Sequence, residues 1–218
     1  MYRYLAIKLQ GVMQAWGGHT YEDLRHIELI PTRSGILGLL AASIGIDRRD
    51  VAGLEALSAS VALAVRMDSN PCRIMDFHTV LEARKVDGKS NKNPVVSRRE
   101  YLCDAVYTLL AWEKVDASIN MDIIGTAVQK PTYTPFLGRR SCPIGRPLFA
   151  GYIIASDLLD AFEHVEPIGG LIYSDERLSE NDALWSLRDE PVYAHKRQFA
   201  SRILFIHSPA KEDENVSQ

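Results

Sequence analysis

Cysteine is scarce in this 218-residue chain: Cys72, Cys103 and Cys142 are the only three, 31 and 39 residues apart. An odd count without a CxxC pair excludes a disulfide framework and a thiolate metal knuckle, and fits a reducing cytoplasm. Long apolar runs are missing too. The longest candidate, residues 36–46, is broken by Gly38 and Gly45 and falls short of the ~20 residues that a membrane-spanning helix needs. No membrane partner is therefore expected. Met1-Tyr2-Arg3 leads straight into an alternating pattern that does not resemble a signal peptide, so none is expected. The six histidines form no HxH or HExxH pattern, and no carboxylate cluster suits a two-metal site, so no metal or other cofactor is expected. A GxSxG elbow, a GK[ST] phosphate loop and internal repeats are all absent.

One further absence is local. Residues 123–156 contain no acid, yet hold Lys130, Arg139, Arg140 and Arg146. Acids concentrate instead in residues 157–190, where ten of them face only Arg177 and Arg188. The net charge of -3 hides this segregation, and its distribution says more about partners than its sum does.

The chain itself reads as mixed α+β. Leu5, Ile7 and Leu9 alternate with Tyr4, Ala6 and Lys8, which predicts a first strand over 4–9. Residues 10–33 read as a long loop. Thr32 or Ser34 caps a helix whose Ile36, Leu40 and Ile44 fall at i, i+4 and i+8, ending near Gly45. Strands are expected over 60–67, 101–112 and 148–155, and a short helix over 121–129. The polar stretch 69–98 is expected to project as a hairpin, its flanks 78–86 and 95–99 pairing. The order β-α-β-β-α-β is ferredoxin-like, an arrangement that RNA-recognition domains share. Residues 1–156 form that expected domain. Residues 157–210 read as a small β-rich appendage and 211–218 as a polar tail.

The segment KPTYTPFLGRRSCPIGRP over 130–147 is the leading candidate for a site. Guanidinium forks of Arg139, Arg140 and Arg146 bind phosphate oxygens, and Tyr133 and Phe136 offer rings to unpaired bases. The helix start Thr32-Arg33-Ser34-Gly35 is a second candidate, since a helix N-terminus favours an anion; plain capping explains it equally well. In GVMQAWG, Gln14 and Trp16 are candidates for reading and stacking a base, although core packing is the commoner place for a lone Trp. Basic residues also crowd 82–100, including Lys85, Lys89, Arg98 and Arg99 before Tyr101. His78 near Lys85 and Lys89 suggests an alternative, metal-independent RNA cleavage by general acid–base chemistry.

The motifs GVMQAWG, IPTRSGILGLLAASIGI, DFHTVLEAR, SRREYLCDAVYT, PTYTPFLGRRSCP, EPIGGLIYSDE and RQFASR appear in this order. Together, over about residues 3–208, they resemble the Cas-five family subunit of the type I-E CRISPR complex Cascade. The resemblance implies a modified ferredoxin-like, RNA-recognition-motif-like palm with a β-hairpin thumb at about 72–98. It implies a protein that caps the foot of the complex and holds the 5′ handle of the CRISPR RNA. The thumb is expected against the backbone subunit CasC, with the large subunit CasA as a neighbour and CasB and CasE in the same complex. In type I-E systems CasE cleaves the precursor RNA, so no catalytic residue is expected here. With residue chemistry added to the resemblance, the expected RNA-binding set is Gln14, Trp16, Arg33, Ser34, His78, Arg98, Arg99, Tyr101, Tyr133, Arg139, Arg140 and Arg146.

Overall fold

β1 (Tyr2–Gln10), buried on both faces from Tyr4 to Leu9, lies one strand in from the edge of a seven-stranded sheet. The computed structural model describes residues 1–21, 23–84, 87–193 and 198–209. The polar tail 211–218 lies outside the described residues, as do Lys85 and the start of RQFASR. β1 is flanked by β8 (Val106–Glu113) and β9 (Phe149–Ala155), both antiparallel. Beyond β8 lies β5 (Val61–Met67), again antiparallel. The central order is therefore β5-β8-β1-β9.

One face of these strands carries the main core. Leu5, Ile7, Leu63, Val65 and Leu109 meet Ile36, Leu37 and Leu40 of α1 (Arg33–Ile44) and Ile124 and Val128 of α3 (Met121–Gln129). Each fully buried aliphatic side chain contributes about 1.5–3 kcal/mol. Of the two candidate caps, Thr32 is the one used: its Oγ1 accepts from the Gly35 N–H at 3.3 Å. Gly45, at φ 95°, closes the helix by donating its N–H to the Ala41 carbonyl. A further helix, α2 (Val51–Ser60), has no counterpart in the sequence reading. Its VAGLEALSAS composition is too rich in small residues to show a clear 3.6 period.

The opposite face is closed as well. Tyr4, Ala6, Ala64 and Leu110 pack beneath Leu158, Ala161 and Phe162 of α4 (Leu158–Glu163). Beside them Arg66 donates to the carbonyls of Phe162 and Val165, each at 2.7 Å, and pairs with Asp68 at 2.7 Å. Lys8 pairs with Asp68 at 2.9 Å and donates to the Glu166 carbonyl. These buried cations pin the segment after α4 over the sheet. The face opposite α1 and α3 is thus covered by the chain itself.

Residues 10–33 are not a loop. They contain β2 (Met13–Gln14), β3 (Gly17–Tyr21) and β4 (Leu24–Ile27). These short pieces escape a periodicity reading because none exceeds five residues. They join a second sheet with β6 (Cys72–Val80) and β7 (Val95–Cys103). The expected hairpin is present, but β6 begins earlier than read, and nine consecutive pairs run from Cys72↔Cys103 to Val80↔Val95. The expected single strand over 101–112 is two strands in different sheets. Asp104, at φ 57°, turns the chain from β7 into β8.

The C-terminal strands do not stand apart. β10 (Ile172–Ser174) pairs with β5, and β12 (Gln198–His207) and β11 (Ala183–Val192) follow it outward, extending the same sheet. No helix among the described residues is long and apolar enough to cross a membrane.

Candidate nucleic-acid interface

The acid-free segment folds into a tight turn anchored at its base. Leu137 donates to the Cys142 carbonyl and Cys142 to the Arg139 carbonyl, each at 2.8 Å. The side chains of Leu137 and Cys142 are fully buried. Burial pushes the Cys142 thiol above its ordinary pKa, which makes it a core group rather than a nucleophile. Gly138 sits at φ 86°, and a Cβ there would lie 1.9 Å from the Ala15 carbonyl oxygen. Only glycine lets the turn press against residues 14–16. Arg139, Arg140 and Ser141 are left at the tip.

Arg139 and Arg140 then do different things. Arg139 donates from Nη1 to the Glu100 carbonyl at 2.8 Å and from Nη2 to the Arg25 carbonyl at 3.2 Å. Its guanidinium lies 4.8 Å from the centre of the Tyr101 ring. Glu100 is on β7 and Arg25 on β4, and these strands share only two parallel pairs, Leu24↔Arg98 and Arg25↔Arg99. Arg139 is thus a staple across a short junction. Arg140 is exposed and has no hydrogen-bond or ion-pair partner among the described residues.

Strand alternation sorts the other cations. Opposed residues share a face and successive residues alternate. Arg99, Tyr101 and Ser97 therefore share one face with their β6 partners Asp76, Ile74 and His78. Arg98 points to the other face, beside Phe77, and pairs with Asp23 at 3.2 Å. Arg25 lies next to Arg99 in the parallel register. The result is a ledge of Arg25, Arg99 and Arg139, with Arg140 next along the chain and Asp76 opposite Arg99 in the register. Half-buried His78 is on the same face, opposite Ser97. Arg25 was not among the expected residues, because its strand was hidden in the apparent loop.

Four expected contacts are corrected by burial. Gln14 is fully enclosed: its Nε2 donates to the Leu9 and Ala105 carbonyls, and its Oε1 accepts from Trp16 Nε1 at 2.9 Å. Trp16 is 0% exposed and belongs to the main core. Arg33 is 2% exposed and is consumed by Glu190 at 2.7 Å, Asp175 at 3.3 Å and the carbonyls of Ser58 and Val61. Its backbone N–H donates to the Asp189 carboxylate at 2.6 Å. The helix N-terminus does hold an anion, but it is the protein's own. Tyr101, 5% exposed, lies beneath Arg139 and offers no open ring.

The remaining expected residues stay near the surface in different places. Half-buried Ser34 lies on α1, with its hydroxyl 3.5 Å from that of Thr32. Tyr133 is 49% exposed but is tied to the far end of α1, its N–H donating to the Ala42 carbonyl. Arg146 is exposed after Gly145, whose N–H donates to the Gln10 carbonyl at the end of β1. The structure therefore brings together Arg99, Arg139, Arg140 and His78, and does not gather Ser34, Tyr133 or Arg146 with them. No group of His, Cys, Asp and Glu suited to a metal ion occurs among the described residues.

Comparison with known proteins gives consistent matches. A family described as CRISPR-associated protein (Cas_Cas5) matches residues 4–205. The CRISPR system Cascade subunit CasD of Escherichia coli (strain K12) is 44% identical over 215 residues, covering 94% of this chain and 96% of that protein. A chain of a solved CRISPR RNA-guided surveillance complex is 26% identical, with a TM-score of 0.75 over 94% of this chain and 89% of its own. A crystal structure of a Cas protein is 25% identical, with a TM-score of 0.65 and 94% of each chain covered.

Proposed function

The chain belongs to the CRISPR-associated protein (Cas_Cas5) family, and we propose that it is the Cascade subunit that holds the 5′ handle of the CRISPR RNA without cleaving it. The observation that carries this reading is the ledge of Arg25, Arg99 and Arg139 with exposed Arg140, at the tip of a segment without acids. Phosphates of a single strand pair with such a row, and the guanidinium planes also stack on bases. The strand order β5-β8-β1-β9, with α1 and α3 on one face, supports the ferredoxin-like reading of the palm. Since α4 fills the other face, RNA is expected along the β4–β7 ledge rather than across the central sheet.

The β6–β7 hairpin supports the thumb. β6 pairs with β7 alone, and Met75, Phe77 and Leu81 are 55%, 68% and 72% exposed. Such an apolar surface suits a protein neighbour, CasC by the family reading, with CasA, CasB and CasE in the same complex. A cytoplasmic complex is the setting proposed for it.

The test is reconstitution of the complex with CRISPR RNA, followed by crosslinking and mapping of the handle. Crosslinks at the β4–β7 ledge and the 139–141 tip, with reduced complex yield in Arg99→Ala plus Arg140→Ala, are expected. Handle crosslinks confined to other subunits would overturn the proposal. Incubation of the purified chain with labelled precursor RNA in EDTA separates the endoribonuclease alternative. Clean cleavage that disappears in His78→Ala would favour it.

A further inference from the structure

The three cysteines, dispersed in sequence, converge in the fold. Cys72 opens β6 and Cys103 closes β7, and they are direct antiparallel partners. Cys103 is in turn the partner of Met13 on β2. A row of three sulfur side chains therefore crosses three adjacent strands on one face. Directly opposed residues have Cα atoms about 4.5–5.5 Å apart, and a disulfide needs about 4.4–6.8 Å. Both kinds of antiparallel pair satisfy that range. Cys72 is exposed on a strand with a single neighbour, whereas Cys103 is half-buried and Cys142 is enclosed in the core.

We propose that Cys72 and Cys103 are a redox-responsive dithiol that closes to a disulfide across the base of the β6–β7 hairpin. A low-molecular-weight disulfide such as oxidised glutathione is the oxidant. The Cys72 thiolate attacks one of its sulfurs, the S–S bond breaks, and one glutathione leaves as a thiol carrying a proton from solvent. Cys103 then loses its proton and attacks the Cys72 sulfur, expelling the second glutathione. Two protein S–H bonds are lost, one S–S bond forms, and the oxidant is reduced to two thiols. Exposure selects Cys72 as the attacking group. Burial, with Asp104 beside it, raises the Cys103 thiol, so Cys103 is a poor leaving group and the closed bond resists reopening at that sulfur. The bond closes a ring through the hairpin tip, fixing β6 against the strand that carries Arg99 and Tyr101.

The experiment treats the full chain, Cys72→Ser and Cys103→Ser with oxidised glutathione. Free thiols are then blocked, and peptides are mapped without reduction. The parent chain should yield one linked peptide pair holding Cys72 and Cys103, with Cys142 still a thiol. Cys103→Ser should accumulate a glutathione adduct at Cys72, about tenfold more than the parent, because nothing resolves it. Proteolysis within the 81–94 tip should leave the halves joined until a reductant is added. Equal adduct in the parent and Cys103→Ser, a link to Cys142, disulfide-linked dimers, or no thiol loss would each overturn the proposal.

Discussion

Replacing Arg139 and Arg140 separately by alanine should give opposite signatures, although the two residues are neighbours of the same type. Arg139 makes two charge-assisted hydrogen bonds to backbone carbonyls and one ring contact. Such bonds contribute about 1.5–3 kcal/mol each, and a ring contact about 0.5–1 kcal/mol. Arg139 is half-exposed, so water replaces part of what is lost. Arg139→Ala should therefore cost about 2–4 kcal/mol. For a chain of this size that lowers the melting temperature by about 5–15 °C. Arg139→Lys should recover little, since an ammonium cannot span both carbonyls and lie over Tyr101. Arg140→Ala removes no contact within the described chain and should stay within about 0.5 kcal/mol of the parent. On handle RNA the order reverses. Arg140→Ala should reduce the salt dependence of binding by about 0.7 in log–log slope for one lost phosphate contact. Arg139→Ala should weaken binding through a disordered ledge. Melting curves and salt-titrated binding of the three variants decide it. An unchanged melting temperature in Arg139→Ala, or a large drop in Arg140→Ala, would refute the division of roles.

Three further outcomes follow from buried groups. Trp16→Ala should cost about 3–5 kcal/mol, because it empties a core site and leaves the Gln14 Oε1 without its donor; chemical denaturation measures it. Arg33→Ala should cost about 3–5 kcal/mol by stranding Glu190 beside Asp175 and Asp189 and leaving the Ser58 and Val61 carbonyls without their donor, and loss of Glu190 as well should restore part of it. Asp182 gives an acid-dependent term. Burial opposes its ionisation, but hydrogen bonds from His207 and from the Leu178 and Ser179 N–H groups outweigh that and hold its pKa below the ordinary value. Its contribution is complete above the unfolded value near pH ~4 and is lost as pH falls through the lower folded value. The urea midpoints of the parent and Asp182→Asn should converge on acidification below about pH 4; a constant gap would contradict this.

Much of the frame is legible in the chain itself. β1, α1, β5, α3 and β9 are legible because their apolar residues recur at strand or helix spacing, even where, as in β1 and β5, both faces end up buried. Thr32 and Gly45 mark the ends of α1 for equally local reasons. The family is also legible, since its motifs are long and lie in order. The short strands β2–β4 were not, because a two- to five-residue strand carries too few alternations and is held by partners elsewhere. Nor was the split of residues 101–112, which turns on the backbone of Asp104 alone.

The candidate site divides along the same line. Composition alone determined that 123–156 is free of acid and that Arg139 and Arg140 stand in it. Only the tertiary structure decided that one is a staple and the other is open, because that depends on which carbonyls β4 and β7 bring within reach. It likewise turned Arg33 inward. The acids that concentrate in 157–190 include Asp175, Asp189 and Glu190, which are partners of Arg33, more than a hundred residues away, and of Arg202 on β12. A charge in a sequence has no address until folding selects its neighbours, and burial then makes that selection binding.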